Sequence, residues 1–523
     1  MIKPRWPLAL WALALVAGLA FGYRGLTSSY FLRDDFMWLY DGRQQLAHPL
    51  EFLTTRPSGY FRPFANLCFG LEQLAFGLDP RGYYVVNVLL HGWNALWLGI
   101  LVLTFGGSQR FAGAAALAAA TLGAAAPGVV WISGLVSLLA VAMVLPALCF
   151  YHAFLRDGRR LDFALALACL VLAVSARESG VLAGLGFLIL ELGHARGRLS
   201  ALLRQPAFWK RMAPLLVVGA LYVWQQLAFV TGGAAARFEL GGPLAYLENV
   251  VTSLPALLRP ERWWLWFSFQ GGLAILGTCA LVLIGLHGKR GAWLLAALFG
   301  LLVLAFLPTY PLLSNSVVMA NRYRYEAAFV AALLVAAVFD AGYGAPLLRR
   351  GLATLGLVVF VGFQLKALPR FVTTDARFAE YARATERFAE DLESHFGAAL
   401  RASAERPPAP GERLVALCGV PVENPRHLRC QLAVWYALPF ERVTEVTLDL
   451  DDRASWGRSP NAYLREATGS DEIWVWTPDD GLQPGRPVLP ALRKDWRHPG
   501  SQTSTAHVQL LSLAILPEER ADP

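Results

Sequence analysis

Long apolar stretches separated by short polar breaks fill the first two thirds of the chain. They lie near 7–24, 83–105, 111–126, 134–155, 162–176, 179–193, 213–230, 263–286, 291–308, 325–344 and 351–367. A helix needs roughly 20 apolar residues to cross a hydrocarbon core, so the pattern predicts about eleven transmembrane helices. The pair 162–176 and 179–193 falls short of that length. Broken or tilted helices lining a cavity are expected there. The first stretch is expected to be a retained helix, because Phe21-Gly22-Tyr23-Arg24 is a poor signal-peptide cleavage site.

Beyond residue 367 the apolar pattern stops. Residues 374–398 place Phe378, Tyr381, Phe388, Leu392 and Phe396 on or near one face of an amphipathic helix. The run Arg406-Pro407-Pro408-Ala409-Pro410-Gly411 reads as a linker. Strand-like runs follow at 414–422, 443–450, 472–477 and 507–516. The expected organisation is a membrane domain over 1–367, an amphipathic helical connector over 368–405 and a small mixed α/β domain over 406–523. Cys418 and Cys430 are the only cysteines of that last domain, and they are read either as a disulfide or as two buried thiols.

Composition agrees with the pattern: of 523 residues 56% are hydrophobic and 16% charged, with a mean hydropathy of +0.43. A disordered or nucleic-acid-binding protein is excluded on these grounds. The net charge of +8 is unevenly spread, with 27 Lys+Arg against 15 Asp+Glu in residues 1–365 and 19 against 23 in the rest. With Lys3 and Arg5 in the cytoplasm, the inner connections hold Arg110; Arg156, Arg159 and Arg160; Arg196 to Arg211; Lys289 and Arg290; and Arg349 and Arg350. That arrangement follows the positive-inside rule. Residues 25–82, 231–262, 309–324 and the C-terminal domain then lie outside the membrane on the far side. Frequent alanine and arginine with few lysines reads as a GC-rich, bacterial source, hence a bacterial inner membrane with a periplasmic tail.

The candidate chemistry begins in the first outer loop, 25–82. Arg33-Asp34-Asp35-Phe36 puts two adjacent carboxylates beside the bilayer, where ionisable groups mark binding or catalysis more often than packing. Residues 36–50 read as an interfacial helix. Pro63 opens a second helix with Leu67, Leu71, Leu74 and Phe76 on its apolar side. Arg62 is read as holding a phosphate or an acid, or else as a snorkelling surface arginine. Asn87, His91 and Asn94 share one face of the next helix and read as lining a site or as structural hydrogen bonders. Glu178, in the break between the two short helices, is a metal or phosphate-cation ligand together with the Asp pair, or part of a local turn with Arg177. Arg322 and Arg324, in Asn321-Arg322-Tyr323-Arg324-Tyr325-Glu326, sit at the depth of a lipid phosphate, which guanidinium forks suit. The alternative there is an aromatic and basic belt.

Taken in order, the acidic pair, Arg62-Pro63, the Asn87/His91/Asn94 stripe, the Arg177-Glu178 turn and Arg322-Tyr323-Arg324 resemble the GT-C superfamily of integral-membrane glycosyltransferases. Tyr60-Phe61-Arg62-Pro63-Phe64 with Leu90-His91-Gly92-Trp93-Asn94 is most similar to its protein O-mannosyltransferase-like branch, and the general layout is similar to the lipid A aminoarabinose transferases. The acidic pair departs from the Asp-Glu common in that family, and the tail shows no tetratricopeptide period. The resemblance implies a GT-C-like fold and transfer of a hexose or pentose from a polyprenyl-phosphate donor, here undecaprenyl, to a glycolipid, glycan or protein acceptor. It implies Asp34 as general base, with Asp35 as the second catalytic acid, in an inverting attack. Arg62, His91, Asn94, Arg322 and Arg324 would bind substrate and its phosphate. Asp35 and Glu178 would hold a divalent cation, Mg or Mn, if one is used. The rival classes are a polymerase or ligase, or a transporter, of lipid-linked saccharides.

Overall fold

The break in the helical pattern around residues 121–135 organises the membrane helices. The structure, a computed structural model, describes residues 6–26, 29–32, 34–50, 61–195, 199–229, 243–258, 269–306, 324–343, 346–374, 376–405, 413–418, 425–437, 443–449, 472–477, 481–484 and 507–515. In chain order the helices begin with α1 (Trp6–Gly22), α2 (Asp35–Ala47), α3 (Pro63–Phe76), α4 (Pro80–Thr104), α5 (Gln109–Thr121), α6 (Ala126–Val130) and α7 (Leu135–Asp157). Next come α8 (Arg160–Ala176), α9 (Val181–His194), α10 (Leu199–Leu203), α11 (Pro206–Phe229), α12 (Pro243–Leu258), α13 (Phe269–His287) and α14 (Lys289–Phe306). The last four are α15 (Tyr325–Tyr343), α16 (Leu347–Thr374), α17 (Ala376–Ala404) and α18 (Pro425–Tyr436). The chain forms two compact units: Met1–Ser28, Leu50–Cys68 and Arg81–Asp375 make one, and Ser29–Pro49, Phe69–Pro80 and Ala376–Pro523 the other.

The first unit is a helical, multi-pass membrane bundle. Among the described residues five helices are long and apolar enough to cross: Pro80–Thr104, Ile132–Asp157, Lys289–Phe306, Tyr325–Tyr343 and Leu347–Pro369. The pair Gln109–Thr121 and Gly123–Val130, bent by 51°, makes a sixth if it is one span. This is fewer than the eleven apolar stretches of the sequence, partly because α8 and α9 have only 17 and 14 residues, as their short patterns foretold. The apolar helix α12 lies where the sequence pattern placed an outer loop; it buries Tyr246, Val250, Leu254 and Leu257.

The stretch expected as a span over 111–126 is instead broken. Ser108 caps α5 by accepting from the Phe111 N–H at 3.0 Å, and alanines let the helix pack closely against α1, where a Cβ on Gly113 would meet the Trp11 ring. At Leu122 the backbone becomes extended and passes through the 3-10 turn Gly123–Ala125 into α6, then through a second turn, Ile132–Gly134, into α7. Pro127 opens α6. A Cβ on Gly134 would lie 2.0 Å from the Gly128 carbonyl oxygen, so this fold-back requires glycine there. A few residues on, Gly158 ends α7 in the left-handed region at φ 68°.

The second unit is built on a five-stranded sheet, β1 (Arg413–Cys418), β2 (Val443–Asp449), β3 (Glu472–Thr477), β4 (Gly481–Pro484) and β5 (His507–Ile515), in the order β2-β5-β1-β3-β4. β1 and β3 are parallel, with Leu417 opposite Trp474. β5 runs antiparallel to both β1 and β2, and β3 to β4. Phe388, Leu392, Phe396 and Leu400 of α17 pack with Leu417, Leu432, Tyr436, Trp476 and Leu482. Trp476 Nε1 donates to Asp391 at 2.8 Å, as a half-buried indole needs. Of the amphipathic face, the side chains of Phe378 and Tyr381 lie outside the described residues, as does that of Cys418.

The interfacial helix expected at 36–50 is corrected. α2 buries Phe36, Met37, Trp38, Leu39, Asp41 and Gly42 and packs against protein. Phe36 meets Trp435 of α18 edge to face, and Arg43 donates to the Ala433 carbonyl. Trp38 stacks on Phe69 of α3, and a Cβ on Gly70 would lie 2.6 Å from the Gly42 oxygen. An apolar face reads alike in sequence whether lipid or protein covers it. The leucines of α3 do point outward, Leu74 being 76% exposed.

The opposite side of α3 carries Glu72, buried, with Oε1 receiving no hydrogen bond among the described residues. Burial pushes its carboxyl up to about 8. A carboxyl raised in the folded state costs stability as pH climbs from its unfolded pKa to its folded one. Glu72→Gln should therefore stabilise the fold and raise the melting temperature, by a margin near zero at pH 3 that grows to about 3 kcal/mol near pH 7. Thermal unfolding in detergent across that range checks it; a gain independent of pH would remove the carboxylate as the cause.

Candidate functional site

Breaking a span exposes carbonyls and N–H groups that lipid cannot satisfy, and each must find a partner in the protein. The polar stripe on α4 supplies those partners. Asn87 Nδ2 donates to the carbonyls of Val129 and Trp131 at 3.2 and 3.0 Å. His91 Nε2 lies 3.3 Å from the Ala120 carbonyl, and Nδ1 lies 2.9 Å from the Tyr325 hydroxyl. Asn94 Nδ2 donates to the Leu138 carbonyl and to the Tyr325 hydroxyl, at 2.9 and 3.0 Å. From α16, Gln364 accepts from the Gly123 N–H at 3.0 Å and donates to the Leu258 carbonyl at 2.7 Å. All four side chains are fully buried. His91 and Asn94, expected to line the substrate site, thus make their hydrogen bonds to the folded-back backbone and to Tyr325.

Tyr325 opens α15, so its hydroxyl fixes where that helix starts. The residues on either side of it carry charge. Arg324 is buried, and burial lowers its guanidinium to about 10. Glu326 accepts from Arg177 Nη1 and from Ser179 Oγ, both at 2.8 Å. Arg177 also donates to Ser137 Oγ. The Arg177 and Glu326 side chains are only 6% and 8% exposed. Two charges so deeply buried persist only when paired.

That buried pair holds the break between α8 and α9. Arg177 is extended, and the turn Glu178–Gly180 follows it. Between two anchored residues, Arg177 and Ser179, stands Glu178, half-buried and facing Arg62. Arg62 Nε donates to Glu178 Oε1 at 3.1 Å, and Nη2 donates to both carboxylate oxygens at 2.9 and 2.7 Å. This is a fork-to-fork ion pair. Burial alone would raise the Glu178 carboxyl; the Arg62 charge and its hydrogen bonds outweigh that and hold it below the usual carboxylate range. Arg62, Glu178 and Arg324 are thereby brought to one end of the bundle. Arg62 thus holds an acid, one of the alternatives of its sequence reading, while Glu178 is paired with Arg62, a partner its sequence reading did not name.

The acidic pair lies in the other compact unit. Asp34 is the residue before α2 and is half-buried, its carbonyl accepting from the N–H groups of Met37 and Trp38. Asp35 is wholly buried and its Oδ2 accepts from the Leu32 N–H at 2.7 Å, a carboxylate at a helix N-terminus where the macrodipole favours it. Arg322 lies outside the described residues. For a metal, no three His, Cys, Asp or Glu side chains converge among the described residues. Asp35 Oδ2 accepts from backbone, and both oxygens of Glu178 accept from Arg62.

Sequence reasoning missed three residues of this network. Tyr325 and Glu326 stood inside the run examined for its arginines, and Gln364 is a single amide in an apolar span, a position that alone signals buried hydrogen bonding. At the opposite end of the bundle a second buried ion pair was also missed: Arg211 donates to Glu191 at 2.6 and 2.7 Å, and Tyr151 to the same carboxylate at 2.8 Å.

Removing one member of the Arg177–Glu326 pair leaves an uncompensated buried charge, at a cost of about 3–5 kcal/mol. Glu326→Gln and Arg177→Met should each lower the melting temperature sharply, and the double variant should lose much less than their sum. Additive losses in this cycle would mean that the two side chains are not coupled.

No protein-family model matches the chain, and neither does any curated protein. Among solved structures, it is similar to the Archaeoglobus fulgidus oligosaccharyltransferase complexed with Zn and sulfate, at 14% identity and a TM-score of 0.43 over 88% of this chain and 67% of that one. The oligosaccharyltransferase AglB of the same organism, in complex with an inhibitory peptide and a dolichol-phosphate, gives 14% and 0.44 over 90% and 69%. ArnT from Cupriavidus metallidurans, bound to undecaprenyl phosphate, gives 12% and 0.40 over 96% of this chain and 97% of that one.

Proposed function

We propose that the chain is a membrane glycosyltransferase that moves a sugar from a polyprenyl-phosphate donor to an acceptor on the outer face of the membrane, with inversion. The observation that carries the proposal is the gathering of Arg62, Glu178, Arg177, Glu326 and Arg324 at one end of the bundle. There a lipid phosphate at the membrane surface would meet guanidinium groups. The leaving phosphate develops negative charge, which cations held in place beforehand stabilise without reorganisation. Arg62 and Arg324 serve in this role, with Arg322 beside them in sequence. The donor phosphate would exchange with the Glu178 carboxylate on the Arg62 fork, since both present paired oxygens of like geometry.

The acceptor hydroxyl loses its proton to Asp34 as its oxygen attacks the anomeric carbon from the face opposite the phosphate. The carbon–oxygen bond to the phosphate breaks, and the electron pair leaves with the lipid phosphate. Asp34, half-buried, is assigned as the base, with Asp35, whose Oδ2 accepts from the Leu32 N–H, as the second acid. A carboxylate is a weak base, so its contribution lies in position. The donor sugar, hexose or pentose, and the acceptor, glycolipid, glycan or protein, are chosen by contacts outside this cluster. A bacterial inner membrane with undecaprenyl as carrier, and a periplasmic C-terminal unit, complete the proposal.

Purified protein in lipid nanodiscs, given a panel of radiolabelled polyprenyl-phosphate sugars, tests it. Asp34→Asn should reduce transfer by about 10²–10⁴-fold while donor binding is retained, and Arg62→Gln should weaken donor binding. Turnover of no donor would discard the proposal in favour of a polymerase, ligase or transporter, and equal transfer by the wild type and Asp34→Asn would remove Asp34 as the base. Glu178→Gln removes the carboxylate that competes for Arg62 and should tighten binding of polyprenyl phosphate several-fold at neutral pH. Because the Glu178 carboxyl is depressed, the ion pair is complete at neutral pH and is lost as pH falls through that depressed value. The advantage of the variant should fade with it.

A further inference from the structure

The far end of the same bundle gathers arginines that the proposed transfer does not use. Arg110 begins α5, Tyr343 ends α15, and Arg349 and Arg350 lie in the first turn of α16. The Arg110 guanidinium stands 4.5 Å from the centre of the Tyr343 ring and that of Arg350 stands 5.1 Å from it. Arg350 Nε also donates to the Tyr343 carbonyl at 3.3 Å. Two cations are thus held at one aromatic ring, from two helices far apart in sequence. The carboxylate facing them is Asp340, which is 3.8 Å from Arg110 Nε and accepts from Ser108 Oγ at 2.6 Å. Lys289 and Arg290 stand at this end too, because Phe111, Leu286 and Leu294 pack against one cluster that includes Ala341.

Arg110, Arg349 and Arg350 alone exceed Asp340 by two positive charges, before Lys289 and Arg290 are added, and all three are exposed. The surface that continues from them along α16 is apolar. Leu348, Leu352, Leu355 and Val359 follow one another at helical spacing and are 77%, 60%, 58% and 60% exposed. A positive cluster at the end of a span, above a stripe of exposed aliphatic side chains, matches a molecule with an anionic head and hydrocarbon tails. We propose that Arg110 and Arg350 at the Tyr343 ring, with Arg349 beside them in sequence, bind the phosphate headgroup of an anionic phospholipid, whose acyl chains lie on the leucine stripe of α16. Guanidinium forks take phosphate oxygens, and basic pockets between membrane helices favour such headgroups. The bound phosphate relieves the repulsion between the two arginines at the ring.

The test uses the full chain in detergent, with thermal stabilisation and native mass spectrometry read out during titration with a diphosphatidylglycerol, with phosphatidylcholine and with inorganic phosphate. The diphosphatidylglycerol should bind and stabilise, less so as salt is raised, and the other two should not. Arg110→Gln with Arg350→Gln should weaken that binding at least tenfold. Asp340→Asn keeps an acceptor for Ser108 and removes the competing charge, so it should strengthen binding several-fold, a gain that misfolding cannot produce. Arg156→Gln, an exposed arginine paired with Asp157, should change nothing. Equal response to phosphatidylcholine, full stabilisation by inorganic phosphate alone, an equal loss in Arg156→Gln, or unchanged affinity in both Arg110/Arg350 and Asp340 variants would overturn the proposal. These readouts involve no sugar transfer, so they stand or fall separately from the proposed function.

Discussion

A backbone that leaves the helix inside a membrane must find its hydrogen bonds within the protein, and most of the polar architecture of the bundle answers that demand. The fold-back between α5 and α7 frees the groups of Ala120, Gly123, Val129 and Trp131. Asn87, His91 and Gln364 take them up. An unpartnered peptide group in hydrocarbon costs several kcal/mol, so these side chains are constrained by their neighbours' backbone before any substrate is considered. The same constraint recruits Tyr325, shared by His91 and Asn94, and so fixes the entry of α15.

From Tyr325 the constraint passes from dipoles to charges. Glu326 holds Arg177 and Ser179, and the residue between those two presents its carboxylate to Arg62. The buried pair and the half-buried pair differ in kind. The first is enclosed, its side chains 6% and 8% exposed, while the second sits nearer water, with Glu178 33% exposed. The enclosed pair fixes the turn on which the more open pair is carried.

Much of this was legible in the sequence, and the residues show why the remainder was not. The short patterns of α8 and α9 announced the break that carries Glu178, and Arg62 was picked out as pairing with phosphate or acid. The stripe of Asn87, His91 and Asn94 was read as lining a site or as structural hydrogen bonders. Its purpose was hidden because 111–126 is continuously apolar, and nothing in composition distinguishes a straight span from one that turns at Leu122. Glycine was the available signal: Gly123, Gly128 and Gly134 recur within twelve residues, and Gly134 tolerates no side chain. The association of α2 with α18 was beyond reach for a different reason, since no local pattern reports a partner that distant.

That distance has a temporal meaning. The helix that begins with Asp35 emerges early in synthesis, yet the Ala433 carbonyl to which its Arg43 donates is 390 residues further along the chain. At roughly 5–20 residues per second the ribosome needs on the order of 20–80 s to deliver it. For that interval Phe36 lacks the Trp435 ring that covers it in the finished protein, and the acidic loop is a nascent segment held only by its neighbours in sequence. Insertion of the bundle and completion of the acid-bearing unit are therefore separated in time, and a chain released before α18 would carry its carboxylates on a helix without its cover.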